Sequence, residues 1–395
     1  MNLLYLIIFD FHFDYSKNIK LLIFIGSIGA SLRLINPFLV AKDKDPGVIV
    51  IDKKCSKIIP IVGAHQSNAR NIALQIANLF GAEVVDTSSS SNEEHLNLDS
   101  FGSQWGWNRS GSIDDWSKLV IMQSRRAEIS YQQSSGNDLW QQSEITKSLT
   151  TQRKNKDSSF HIGYENTNYV SWHPPTLWIG IGCERNTAKQ LIEKSLNKFL
   201  KSKRISPLAI AGLATVEIKK DEKSLLKFSD EKKWPIKFFS ISELSKIDVP
   251  NPSQVVLNEI GTPSVAEAAC IKAAGEGSEL IQEKIIFKGQ TKSKKEFGAV
   301  TFAVASSKYQ FAPSKGGIHI IGSGPGDLSY LTNDARKALS SCAVWIGYKM
   351  YLELLRPLKR NEQVIINSNL TEEKERCEKA IRLAQEGIKV ALVSS

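Results

Sequence analysis

Cysteine is scarce in this 395-residue sequence, and what its scarcity excludes is more telling than any abundance. Cys55, Cys183, Cys270, Cys342 and Cys377 are odd in number and far apart, and no two form a C-x-x-C pair. A disulfide framework or a structural zinc site needs cysteines at short, regular spacing, so the pattern fits a reducing cytoplasm and no protein-bound metal. Long apolar runs are missing too. Met1 to Phe9 has no basic leader, and Asp10, His12, Asp14 and Lys17 interrupt the run well short of the about 18 to 20 residues that a membrane span needs. Two buried strands flanking a polar turn explain the segment better. RNA-type aromatic motifs are absent as well, although the formal net charge is +10. The lysines spread over 189–233 and 284–295 therefore read as a solvated face, or as a basic surface that attracts a polycarboxylate, and not as a nucleic-acid site.

What is present is ordinary for a globular protein of two or three domains: 42% apolar and 23% charged residues. The informative stretches share one pattern, an apolar strand running into a polar or glycine turn and then a helix. The first is Leu21 to Ile25 followed by Gly26, Ser27 and Gly29, where a carboxylate or phosphate could rest on the helix start. A packing turn is the alternative. Val48 to Ile51 reads as a strand covered on both faces, and Asp52 to Lys54 as a short hairpin into Ile58 to Val62. Gly63, His65 and Ser67 then open a helix whose Ile72, Ile76, Leu79 and Phe80 share a face and which Gly81 closes. His65 titrates near neutrality and suits general-base work; a histidine that only bonds the backbone is the alternative.

The second half repeats the pattern. Leu177 to Ile181 leads into Gly182, Cys183 and Arg185, with Thr187 and Gln190 at capping-box spacing before a helix to about Leu200. Cys183 is a candidate nucleophile or a small buried residue. Gly261, Thr262 and Ser264 precede a thin, alanine-rich helix, and Ser264 with Glu267 has the S-x-x-E spacing of a cap. Glu267 is thus either a candidate acid or base, or a cap alone. In the last stretch Ile318 to Ile321 runs into Gly322, Gly324, Pro325, Gly326 and Asp327 and then a helix, the way α/β folds present backbone N–H groups to a cofactor, or a tight turn. Between these halves, serine, asparagine and glutamine dominate Thr87 to Asn97 and Gln123 to Asn155, which predicts loops. Ordered islands are expected at Trp105 to Trp107 and at Ile113 to Met122, where Trp116, Leu119 and Val120 offer a helical face.

GSGPGDLSYLT together with AVWIGYKMYLELL resembles the start of the tetrapyrrole methyltransferase family. The Gly347, Tyr348, Lys349 and Tyr351 pattern is most similar to precorrin-3B C17-methyltransferases. The resemblance implies S-adenosylmethionine at Gly322, Gly324, Pro325, Gly326 and Asp327, and a homodimer through that part when complete. It also implies a second glycine loop directly beyond VALVSS, so the pocket is expected to be incomplete here. FIGSIGASLRLINPFL, DPGVIVID, VGAHQSNARNIALQIANLFGA and EVVDTSSS resemble the N-terminal domain of the cobalt-precorrin-5A hydrolase family, and GIGCERNT, GLATVEIKKDE, FFSISEL, GTPSVAEAA and AVTFAVA its C-terminal domain. His65 is kept where that family has Gly-His-Glu-Gly-Gly-Ala-Asn, but Gln66 stands for its glutamate.

The expected architecture is α/β: several small parallel or mixed sheets with helices on both faces, the last an incomplete tetrapyrrole methylase fold. Residues 1–87 form the hydrolase-like N-terminal domain, 88–176 a variable Ser/Gln-rich insert, 177–306 the hydrolase-like C-terminal domain, 307–316 a linker and 317–395 the methyltransferase part. The resemblance implies δ-lactone opening with acetaldehyde release in corrin-ring synthesis, with cobalt only as part of the substrate. In that hydrolase role His65 would activate water or assist lactone opening, with Glu267 and Cys183 as lesser catalytic candidates. Gly26, Ser27, Gly29, Gly63, Ser67, Gly182, Arg185, Thr262 and Ser264 would hold the tetrapyrrole, with the turns at Gly26, Gly63, Gly182 and Gly261 converging on it. Two further readings stay open: chiefly a precorrin-3B C17-methyltransferase whose N-terminal half only binds tetrapyrrole, and a non-catalytic tetrapyrrole carrier.

Overall fold

The computed structural model describes residues 5–7, 20–40, 45–63, 69–85, 96–151, 158–289 and 297–394. The chain divides into two compact units, Met1–Asn92 and Glu93–Ser395.

In the first unit, alternation decides the layers. Leu21 and Ile23 point to one face of a five-stranded sheet, Leu22 and Phe24 to the other, and both faces are covered. Ala69–Phe80 covers the first face and Ile28–Ile35 the second. The packing stripe of Ala69–Phe80 is Ala69, Ala73 and Ala77, with Ile72 and Ile76 beside it. Leu79 and Phe80, expected on that face, are exposed because alanines seat the helix on the sheet. Tyr5–Ile7 pairs parallel with Leu21–Ile25, so the two are not arms of one hairpin. The hairpin at Asp52 forms as expected: its carboxylate accepts from the backbone N–H groups of Ser56 and Lys57, each at 2.6 Å. The Lys57 N–H above all holds that carboxyl below its ordinary range.

The second unit contains three sheets. Asn108–Ser110, Ser171–His173, Ser159–Ile162, Ile129–Gln133 and Leu149–Thr150 form the first, in that order. The serine- and glutamine-rich composition predicted loops; the segment is a folded sheet because its aromatic residues supply the core. Trp105, Trp107, Trp116, Trp140 and Trp172 are each at most 2% exposed, and Phe101 sits among them in edge contacts at 5.6 to 5.8 Å. The expected helix with Trp116 and Leu119 inward is Ile113–Ser124. The second sheet runs Ile236–Phe239, Ile210–Val216, Leu177–Cys183, Ala299–Ser306 and Glu279–Lys288, parallel across the first three and antiparallel beyond. The third, Gly317–Gly322, Lys389–Ser394, Val344–Tyr348 and Val364–Ser368, is wholly parallel.

The tryptophan core does not end with its own sheet. Val344, Ile346, Val364, Ala380, Leu383 and Val390 of the last segment belong to the same buried cluster. The connection between the second and third sheets reinforces the join. Gln310 is 2% exposed and fully satisfied: its Oε1 accepts from Trp107 Nε1 at 2.7 Å and Asn137 N at 3.1 Å. Its Nε2 donates to the carbonyls of Trp105 and Glu386 at 2.5 and 2.6 Å. Nearby, Asn137 Nδ2 donates to Glu386 Oε2 at 2.6 Å, and burial pushes the Glu386 carboxyl up to about 7.

Gln310→Leu leaves four buried polar groups without partners at once, and we expect it to lower the stability of the second unit by about 3 to 5 kcal/mol in urea denaturation followed by tryptophan fluorescence. Because the Glu386 carboxyl titrates higher in the folded chain than in the unfolded one, it favours the folded state most below the unfolded pKa. That contribution disappears as pH rises through about 7. Stability should therefore fall between about pH 5 and pH 8 by an amount on the order of 2 to 3 kcal/mol from this group. Glu386→Gln should flatten that dependence in melts taken across the range.

Candidate functional site

The site is built by a close approach. A Cβ placed on Gly180 would lie 1.8 Å from the carbonyl oxygen of Ala266, so only glycine lets the helix Val265–Ala274 rest directly on the strand Leu177–Cys183. The helix can come that near because its inward residues are Ala266, Ala269, Cys270 and Ala273. Its N-terminus is thereby brought to the C-terminal ends of Leu177–Cys183 and Ile210–Val216, the end where parallel strands bind ligands. A cleft of about 480 Å³ opens there, walled by Gly182, Cys183, Arg185, Lys219, Ser264 and Lys288 among others.

Four residues expected from the sequence meet in this cleft: Gly182, Cys183, Arg185 and Ser264. Arg185 is tied back, with Nη1 on Asp221 Oδ1 at 2.5 Å and Nη2 on the Ile218 carbonyl at 2.7 Å. Burial pushes the Cys183 thiol up to about 11; Lys219 and Arg185 pull it back, while Glu222 and Glu184 oppose them. The thiol is therefore neutral near pH 7, which argues against the nucleophile role.

Neither expected capping box forms. Ala188, not Thr187, caps Lys189–Ser202, and Thr187 Oγ1 donates to the carbonyls of Glu184 and Ala299. Ser264 is the N-cap residue of Val265–Ala274, yet its side chain makes no cap bond and its Oγ has no partner. Glu267 is fully buried and reaches the other way: Oε1 accepts from Asn251 Nδ2 at 2.9 Å and from the backbone N–H of Lys284 at 3.1 Å. It pins the strand Glu279–Lys288 to the helix, its Oε2 has no partner, and it is not part of the cleft wall. Thr262 is likewise fully buried, away from the cleft, with Oγ1 unpartnered.

Sequence reasoning missed Lys219, which is 6% exposed, stands three residues past Ile210–Val216 and makes no hydrogen bond or ion pair within the cleft. Its place just beyond a parallel strand was the available signal.

In the first unit the expected convergence fails. Gly26 ends Leu21–Ile25, which runs parallel to Gly47–Ile51, whereas Gly63 ends Lys57–Val62, which runs antiparallel to it. The two turns therefore lie at opposite ends of the sheet. Ser27 caps Ile28–Ile35, accepting from the Ala30 N–H at 3.3 Å, and Gly29 lies within that helix. His65 and Ser67 fall outside the described residues.

Three segments of the chain match known families. Residues 12–91 match the family described as Cobalamin synthesis G N-terminal, 177–305 match Cobalamin synthesis G C-terminus, and 317–395 match Tetrapyrrole (Corrin/Porphyrin) Methylases. The chain is a fusion of cobalamin synthesis G segments with a tetrapyrrole methylase segment. It is accordingly a protein of cobalamin biosynthesis. A cobalt-precorrin-5A hydrolase of Priestia megaterium is 29% identical over 314 residues, 74% of this chain and 80% of that protein. A cobalt-factor III methyltransferase of the same organism is 42% identical over 81 residues, 20% of this chain; the match spans only 15% of that relative's length. Both relatives are enzymes by name. A solved cobalamin biosynthesis protein G homolog of Sulfolobus solfataricus is 18% identical, covering 73% of this chain and 82% of its own, with a TM-score of 0.27.

The methylase family implies use of S-adenosylmethionine. The glycine turn of the methylase segment fits a close-lying ligand. Nothing stands within 4 Å of a Cβ placed on Gly322 or Gly324, Gly324 and Gly326 hold φ of 68° and 108°, and the buried Ser323 Oγ has no partner. Asp327 Oδ1 accepts from Ser329 N at 2.8 Å, which closes the turn and holds that carboxyl below its ordinary range. The AVWIGYKMYLELL stretch is the strand Val344–Tyr348 followed by the helix Lys349–Leu355.

With its thiol titrating near 11, Cys183 should alkylate slowly with iodoacetamide at pH 7.5, and the rate should climb about tenfold per pH unit to beyond pH 9. A plateau by pH 8 in mass-spectrometric time courses would restore the nucleophile role.

Proposed function

We propose that residues 12–305 open the δ-lactone of cobalt-precorrin-5A, the cobalt entering only as part of the substrate. Water adds to the lactone carbonyl and the ring C–O bond breaks to leave a carboxylate and a hydroxyl; the hydroxyl then gives up its proton and becomes the aldehyde carbonyl as the C–C bond joining the two-carbon unit to the macrocycle breaks, the macrocycle keeping the electron pair and taking a proton, and acetaldehyde departs. The observation that carries this reading is the cleft at the strand ends, with the cations Lys219 and Lys288 in its wall. Such a cleft favours a substrate bearing many carboxylates. Likeness to a named cobalt-precorrin-5A hydrolase over most of both chains supports the reaction class. In this reading His65 takes the proton from the attacking water, and Gly182, Arg185 and Ser264 of the cleft wall contribute to substrate binding. Five free thiols fit a cytoplasmic location.

A second activity belongs to the methylase segment, for which Gly322, Gly324, Pro325, Gly326 and Asp327 would hold S-adenosylmethionine; when bound, that group supplies the methyl. The open glycine turn favours this reading. Pairing of two copies through the methylase segment is part of the same proposal and rests on the family resemblance.

Cobalt-precorrin-5A incubated with the full chain should yield acetaldehyde in one-to-one ratio with substrate consumed, and His65→Ala should cut the rate at least about a hundredfold while leaving substrate binding in place. Intact substrate binding with no acetaldehyde from the unaltered chain would overturn the hydrolase in favour of a carrier.

A further inference from the structure

We propose that Lys219, Ser264 and the first N–H groups of the helix Val265–Ala274 form a subsite for a single carboxylate arm of the substrate. The proposal rests on the reading of the cleft as a tetrapyrrole site and gives that site a fixed point of attachment.

Three independent observations meet there. Lys219 lines the cleft with its stem 6% exposed, and no hydrogen bond or ion pair among the described residues engages its ammonium, which is left to meet an anion in the cleft. The neighbouring acids are already committed: Asp221 pairs with Arg185, and Glu222 Oε2 accepts from the Asn186 N–H at 3.3 Å. Glu184 and Glu259 line the cleft, but neither lies within ion-pair distance of Lys219. Ser264 is 2% exposed, lines the same cleft, and has an Oγ that neither caps its helix nor bonds elsewhere. Val265 and Ala266 also line the cleft, and the first N–H groups of a ten-residue helix have no acceptor within it. A carboxylate answers all three: one negative charge for Lys219 and two acceptor oxygens for the hydroxyl and the helix N–H groups. An ester or amide arm offers no charge and should be rejected. Of the other cations of the wall, Arg185 is tied to Asp221, Lys284 Nζ donates to the Asn251 carbonyl, and Lys288 is exposed and attracts without fixing position.

The test uses the full chain with two probes. Lysines are reductively ¹³C-methylated and propionate, the bare side arm, is titrated. The Lys219 resonance, assigned by its loss in Lys219→Arg and Lys219→Met, should shift saturably, and Ser264→Ala should weaken the propionate response several-fold. A Lys219 signal that moves no more than those of exposed lysines overturns the subsite. In parallel, a porphyrin octacarboxylate should bind about tenfold more weakly to Lys219→Met and within about twofold of normal to Lys219→Arg, its octamethyl ester showing no difference among the three proteins. Equal octacarboxylate binding by Lys219→Met overturns the subsite too. If propionate saturates Lys219 while the octacarboxylate binds none of the proteins, the subsite stands and the tetrapyrrole reading of the cleft falls.

Discussion

The approach of one backbone to another at Gly180 is the constraint on which the candidate site depends. With the Ala266 carbonyl 1.8 Å from the point where a side chain would begin, any other residue would lift the helix Val265–Ala274 away from its strand. The helix would then carry Ser264 away from Lys219, and the strand Glu279–Lys288 would follow, because Glu267 ties it to that helix through Asn251 and the Lys284 N–H. The geometry of the cleft is thus set by a contact outside it, through small residues whose only property is the room they leave. An alanine-rich helix with little polar surface of its own is what such an approach requires.

The second unit has a comparable economy on a larger scale. The tryptophan-rich sheet and the methylase sheet do not each complete a core and then touch; they share one. Gln310, in the connection before the methylase segment, is the polar counterpart of that shared core, its two donors and two acceptors all used on groups from both sides. A connection that reads as a linker is in this respect as fixed as a strand.

Much of this was legible in the sequence, and the failures have physical causes. Alternating or continuous apolar runs located Leu21–Ile25, Gly47–Ile51 and Leu177–Cys183, because burial on both faces leaves no freedom of register. Short polar patterns were less reliable. The S-x-x-E pattern at Ser240 and Glu243 forms a capping box on the surface, whereas the same pattern at Ser264 and Glu267 does not. Burial at the second site gives Glu267 other partners, and spacing carries no record of burial. Composition misled in the central segment for a similar reason. Serines and glutamines are numerous there, but a few indoles bury enough apolar surface to outweigh them. Leu79 and Phe80 were assigned inward on size, when the closeness of the sheet selected Ala69, Ala73 and Ala77. Lys219 was missed because a single lysine among many has no signature until its burial is known. The methylase turn was legible because Gly322, Gly324 and Gly326 crowd one strand-to-helix turn, where Gly324 and Gly326 take positive φ.

The shared core also imposes an order of events on the growing chain. Trp172 leaves the ribosome well over a hundred residues before Val344 and Val390, which complete the cluster around the tryptophan-rich sheet. At ordinary rates of synthesis that interval is roughly 10 to 40 seconds. Through it, an aromatic surface made for burial stands without its cover. The methylase segment therefore serves the fold of what precedes it before it can serve any chemistry of its own.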